Sequence, residues 1–196
     1  KVRGYAISSE EHDEGVCATY YFLVRSDFYN VFVPAVVTIL KSIQAMGHEV
    51  GLHFDAAHCD ISSTETLELA LIKEKNALES LINVNIRSFS FHNPSPETLR
   101  FNSFSYAGLI NAYNSEILER FEYCSDSNGY WRFTPLEEFL DKGYPNICVL
   151  THPVWWQTKV LSPRERVIRS IEGRAAVTLE RYDALLDAAG RENIST

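Results

Sequence analysis

Three histidines and two aspartates fall within fourteen residues, GHEVGLHFDAAHCD at 47–60. Two imidazoles and a carboxylate form a ligand set that borderline divalent ions such as Zn²⁺ accept. Side chains alternate along an extended segment, so Gly51, His53 and Asp55 share one face while Val50 and Leu52 take the other. His58 follows His53 by five residues, close enough for a tight turn to bring it back beside its neighbour. His48 falls on the opposite face and is assigned to packing or a hydrogen bond. The same residue types recur at the ends of other β-rich runs, as His92, Asp126 and His152. Metal-assisted or acid–base chemistry requires these ends to meet; otherwise each is a polar residue at a turn.

The elements that must position them alternate in type. CATYYFLV (17–24) is dense in aromatic and β-branched residues and is predicted to be a buried strand. VPAVVTILKSIQAM (33–46) spaces Val33, Val36, Val37, Leu40, Ile43 and Met46 as one helical face, with Gly47 as its stop. HEVGLHF is a short strand. A helix over 62–82 opens on a capping box, Ser62 with Glu65, and sets Leu67, Ala70, Leu71, Leu78 and Leu81 on one face. IRSFSFH (86–92) is a strand, NPSPET a loop and helix start, and 104–120 is ambiguous. FEYCSDSNGYW is a short strand running into a loop, PLEEFLDKG a short helix, NICVLTH (146–152) a strand, and 163–190 a long amphipathic helix. This rhythm implies parallel βα units, whose C-terminal strand ends gather at one mouth when a barrel forms.

Composition narrows the function. The chain has 196 residues, 45% of them hydrophobic and 22% charged, enough for one sizeable core. A net charge of −8 without a basic run argues against nucleic acid or an anionic membrane as the partner. The longest apolar stretches fall far short of the ~20 residues of a membrane span. Cys17, Cys59, Cys124 and Cys148 are widely spaced with no C-x-x-C pair, which reads as reduced thiols in a cytoplasmic protein. Neither a G-x-S-x-G elbow nor a Gly-rich phosphate loop is present.

GHEVGLHFDAAH resembles the GHEIGNH-x-x-x-H segment of the polysaccharide deacetylases, the NodB-like carbohydrate esterases of family 4. GVCATYYF (15–22) is similar to their preceding strand and CVLTHP (148–153) to their last, Leu-x-His motif. SFSFHNPS (88–95) stands where that family has an Arg-Pro segment, and YCSDSNGYW (123–131) where it has an Asp-Trp segment. The wording GLHFD, FHNPS, SDSNGYWR and THPVWW is closer to a divergent branch associated with bacterial surface polysaccharides, O-antigen among them.

The resemblance, spanning about 10–156, implies an α/β fold, a (β/α) barrel that is incomplete or distorted, as one domain over 1–196. It implies metal-dependent deacylation of an N-acylated amino sugar, with a divalent cofactor, Zn²⁺ by preference, and a carbohydrate partner. His53 and His58 would be metal ligands, with Asp55 the alternative second ligand, because the family's second histidine falls here on Ala57. His152 would be the general acid, with His92 and Asp126 at the edge of the cleft. His92 stands where the family has arginine. Trp131 and Trp155 would stack on a sugar ring or cap the barrel rim. The family's first motif, which carries the metal-binding aspartate and the base, has no counterpart. HDEG at 12–15 is rejected because it falls at the end of the first helix and not of the first strand. An impaired enzyme and self-association through open sheet edges are therefore expected, with a non-catalytic carbohydrate-binding member of the same fold as the alternative.

Overall fold

The computed structural model describes residues 3–131, 133–156 and 159–194. Helix α1 (Arg3–Asp13) ends where Gly15 takes φ +72°, with Gly15 N–H bonded to His12 O and Val16 N–H to Glu11 O. HDEG thus closes a helix, as expected. Strands β1 (Thr19–Leu23), β2 (Glu49–Phe54) and β3 (Ser88–Phe91) pair in parallel in that order. Helix α2 (Pro34–Ala45) joins the first two and α3 (Thr64–Ile82) the next. Beyond β3 come the short α4 (Pro96–Leu99), then β4 (Ser105–Tyr106) and β5 (Leu109–Asn111). Strand β5 joins β3 in parallel, and β4 turns back antiparallel onto its free side through Ala107 and Gly108, both at positive φ.

Helix α5 (Ser115–Arg120) leads to β6 (Glu122–Ser125), α6 (Leu136–Asp141) and β7 (Ile147–Leu150). Strands β6 and β7 are parallel and form a second, two-stranded sheet. The fold is therefore mixed α/β with parallel sheets, and a closed barrel is not formed among the described residues. Strand β4 occupies the edge of β5 that a further parallel strand would need.

The core lies on one face of the larger sheet. Val50, Leu52, Phe54, Phe89, Phe91 and Leu109 are 0–2% exposed and pack against Leu40 and Ile43 of α2 and Leu67, Leu71 and Leu78 of α3. Two details of α3 differ from expectation. Its capping box is Ser63 with Thr66, whose hydroxyl and backbone groups exchange hydrogen bonds. Ser62 instead gives its N–H to Asp60 Oδ1 and lies outside the helix. The buried stripe also includes Glu74 and Ile82, with Ala70 and Leu81 only partly buried.

Two histidines outside the strand ends are structural. His48 accepts from Ala18 N–H at Nδ1 (3.2 Å) and donates from Nε2 to Ser8 O (2.8 Å), tying α1 to the start of β2. His12 Nδ1 lies 2.9 Å from Met46 O.

By its internal contacts the chain divides into two compact units, one running to Pro153 and one starting at Val154. The second contains α7 (Pro163–Ala188), a single 26-residue helix opened by a Ser162–Glu165 capping box. It covers most of the long amphipathic helix expected over 163–190, and none of its residues is buried.

Candidate active site

Away from the core, the larger sheet presents a face of small and polar residues. The register pairs Tyr21 with Gly51, Leu23 with His53, and His53 with Ser90. Gly51 is required there: a Cβ would lie 2.5 Å from Tyr21 Cε1 and 3.1 Å from Ser88 Oγ. Tyr113 reaches the same face, hydrogen-bonded to Ser90, and burial pushes its phenol up to about 12. This face ends at His53.

His53 Nδ1 lies 3.2 Å from Ser90 O. A carbonyl only accepts, so Nδ1 carries the proton and Nε2 keeps the lone pair. That lone pair faces His92 Nδ1 at 3.1 Å, which must then be the donor. His92 Nε2 in turn accepts from Asn93 Nδ2 at 3.0 Å. Asn93 adopts φ +48°, a left-handed conformation that asparagine tolerates better than most residues. The four residues form a chain with one direction, Asn93 to His92 to His53 to the Ser90 carbonyl, and both imidazoles neutral. The rings meet edge-on, centroids 4.9 Å apart. Burial, then the neighbouring His92, lowers the His53 pKa from 6.5 to about 4, and a charge on His152 is also felt there.

Strands β6 and β7 bring the second pair together. Asp126 is 4% exposed and accepts three contacts from His152. The backbone N–H lies 3.0 and 3.1 Å from its two carboxylate oxygens, and Nδ1 is 2.7 Å from Oδ1. Burying a carboxylate requires such donors. The consequence is a fixed imidazole: Nδ1 points at Asp126, and Nε2 is on the far side of a ring whose side chain is 38% exposed.

Asp55 and His58 lie past the end of β2. Asp55 caps the 3₁₀ turn Ala56–His58 by accepting from Ala57 N–H at 3.0 Å, and its other oxygen is 3.6 Å from His58 Nε2. Arg25 braces the turn, reaching His58 O at 3.5 Å with Nη1 and Glu74 Oε1 at 3.2 Å with Nε. His53, Asp55 and His58 have suitable donor types for Zn²⁺. Their arrangement does not complete a site, because among the described residues no three His, Cys, Asp or Glu side chains are grouped to hold a metal ion.

His53 and His92 are thus joined, Asp126 and His152 are joined, and Asp55 pairs with His58 on an exposed turn. Trp131 is partly exposed, past the 3₁₀ turn Ser127–Gly129. Trp155 falls in the second unit, where its carbonyl accepts from Arg166 Nη1 at 2.6 Å. Sequence reasoning missed Ser90, Asn93 and the Arg25–Glu74 brace. The signal for the first was available: Ser88, Ser90 and His92 alternate with Phe89 and Phe91, marking one polar face of β3.

No family model matches the chain, and no curated protein does. Among solved structures, a CE4 family pseudoenzyme from Bacillus anthracis aligns at 17% identity and a TM-score of 0.46, covering 88% of this chain and 56% of that one. The CE4 domain of a multidomain xylanase from the hindgut metagenome of Trinervitermes trinervoides aligns at 12% identity and 0.49, covering 97% and 85%. A family 4 acetyl xylan esterase from Clostridium thermocellum, in complex with a cobalt ion, aligns at 13% and 0.49, covering 97% and 87%. These neighbours are CE4 proteins, the family whose motifs the sequence resembles. The chain spans 56–58% of the length of the pseudoenzyme structures. At these values the functional reading rests on this chain's own side chains.

Proposed function

We propose that this chain is a carbohydrate deacetylase-like protein, impaired in turnover, whose substrate class is an N-acylated amino sugar of a bacterial surface polysaccharide. The Asp126–His152 pair carries the reading. A deacylation breaks an acyl C–N bond, water supplies the oxygen to the acyl carbon, and the departing nitrogen needs a proton. His152 is built to deliver it: Asp126 holds Nδ1–H, so a proton on Nε2 is presented outward, and the imidazolium faces a carboxylate. A divalent ion such as Zn²⁺, when bound, polarises the carbonyl and acidifies water. Because His53, Asp55 and His58 do not group as a three-donor site, no step is assigned to it.

The test is hydrolysis of an acetylated amino-sugar oligosaccharide by the wild-type chain and by His152→Ala. Loss of a general acid lowers the rate by ~10²–10⁴-fold, with the fold unchanged by circular dichroism. An unchanged rate overturns the assignment. A second reading, a non-catalytic carbohydrate-binding member of this fold, is favoured by the engagement of His53 Nε2 with His92. It requires saturable oligosaccharide binding with no turnover in either protein.

A further inference from the structure

Helix α7 carries an apolar stripe that the fold leaves open. Ile168, Ile171, Ala175, Leu179, Tyr182 and Leu186 follow one another at steps of three or four residues. At about 100° per residue they fall within about 80° of the helix circumference, over about five turns. No residue of α7 is buried, and Ile168, Ile171, Leu179 and Tyr182 are 40–64% exposed. Packing of such a face supplies most of the stability of a helix in a folded protein, and a continuous apolar stripe rimmed by charge marks a contact surface.

The charges beside the stripe say what fits it. On the same helical projection one flank carries Glu165, Glu172, Asp183 and Asp187 against a single arginine, Arg169. The other flank carries Arg174 and Arg181 and no acid. When two copies of one helix pair in parallel, each flank faces the opposite flank of its partner; when they pair antiparallel, each flank faces its own kind. Parallel pairing therefore sets the acidic flank against the basic one along both sides of the seam, whereas antiparallel pairing sets acid against acid and arginine against arginine. We propose that α7 is a self-association surface, on which a second copy of this chain docks its own α7 in parallel, stripe to stripe. The pairing is isologous, closes at two copies, and uses no sheet edge. Opposed charges of this kind fix orientation more than they add affinity, so the apolar stripe supplies the strength and the flanks the direction.

The proposal is read by association alone and therefore stands or falls apart from the deacetylase reading. The full chain is followed by sedimentation equilibrium up to millimolar concentration, with helix content checked by circular dichroism. A monomer–dimer equilibrium is expected. Ile171→Glu, at an exposed position, should raise the dissociation constant at least about 10-fold, because the loss is counted in both copies. Arg174→Glu with Arg181→Glu makes both flanks acidic and should weaken the dimer about 3-fold or more at low salt; Glu172→Arg with Asp183→Arg makes both basic and should do the same. Mixing these two double variants restores complementary seams, so the mixture should dimerise more tightly than either alone. A chain that stays monomeric throughout, a dimer that Ile171→Glu leaves intact, charge variants as tight as wild type, or a mixture no tighter than its components overturns the proposal.

Discussion

At the scale of single residues, His53 is a partly buried base that the fold keeps uncharged. Its pKa is about 4 in the fold against 6.5 for an unperturbed histidine, chiefly through burial and secondly through His92. A depressed histidine stabilises the fold fully above pH 6.5 and loses that contribution as pH falls toward 4, because the unfolded chain takes up the proton first. The full difference is about 3 kcal/mol. The stability gap between wild type and His53→Gln, measured by urea denaturation in chelator, should shrink by about that amount between pH 7 and pH 4. Parallel curves would show that His53 titrates alike in both states. Gly51 makes a second claim at this scale. Gly51→Ala places a methyl group against the Tyr21 ring, 2.5 Å from Cε1, and overpacking of this kind costs about 1–3 kcal/mol. Tyr21→Leu in the same chain should recover part of the loss, a coupling that separate sites would lack.

Single elements expose a difference between what is local and what is not. The parallel strand–helix rhythm, the apolar face of β2 and the stop at Gly47 were legible because each depends on a few neighbouring residues. Three features of the site were not. The His53–His92 bond depends on cross-strand register and ring orientation, the Asp126–His152 pair on the meeting of two strand ends 26 residues apart, and the way the expected incomplete barrel stays open on β4 taking the edge of β5. The cap of α3 was misplaced by one residue because Ser62 and Ser63 are both able caps, and only the competing bond to Asp60 decides between them. Ser63→Ala should therefore cost about 1 kcal/mol, with Ser62→Ala near neutral, in thermal or urea unfolding.

The brace behind the Ala56–His58 turn is also an element-scale device. Glu74 is 3% exposed on α3, and its pKa is raised by burial against the opposing pull of Arg25. Arg25→Met strands that carboxylate and should cost about 1–3 kcal/mol. Adding Glu74→Leu should restore most of it, since a buried pair replaced whole is often neutral. A double variant as unstable as Arg25→Met alone would mean that the pair stabilises in its own right.

For the whole molecule, the buried cluster spans only Val31 to Tyr106 and Leu109, while α7 contributes no buried residue. The same molecule shows no helix, among its described residues, long and apolar enough to cross a membrane.

The order of the large sheet, β1-β2-β3-β5-β4, follows the order of the chain except at the closing hairpin. From β1 to β3 each strand docks on the edge its predecessor has just made, and only β5 comes to lie between two earlier strands, β3 and β4. Proteins are synthesised from the N-terminus at about 5–20 residues per second, slowly enough for early segments to pair before later ones exist. This sheet can grow in that direction, one βα unit at a time, with a single growing edge until the β4–β5 hairpin arrives to cover it. The antiparallel turn at Ala107–Gly108 then acts as the terminator of assembly, and a ribosome-bound chain stalled before it should be the most prone to aggregate.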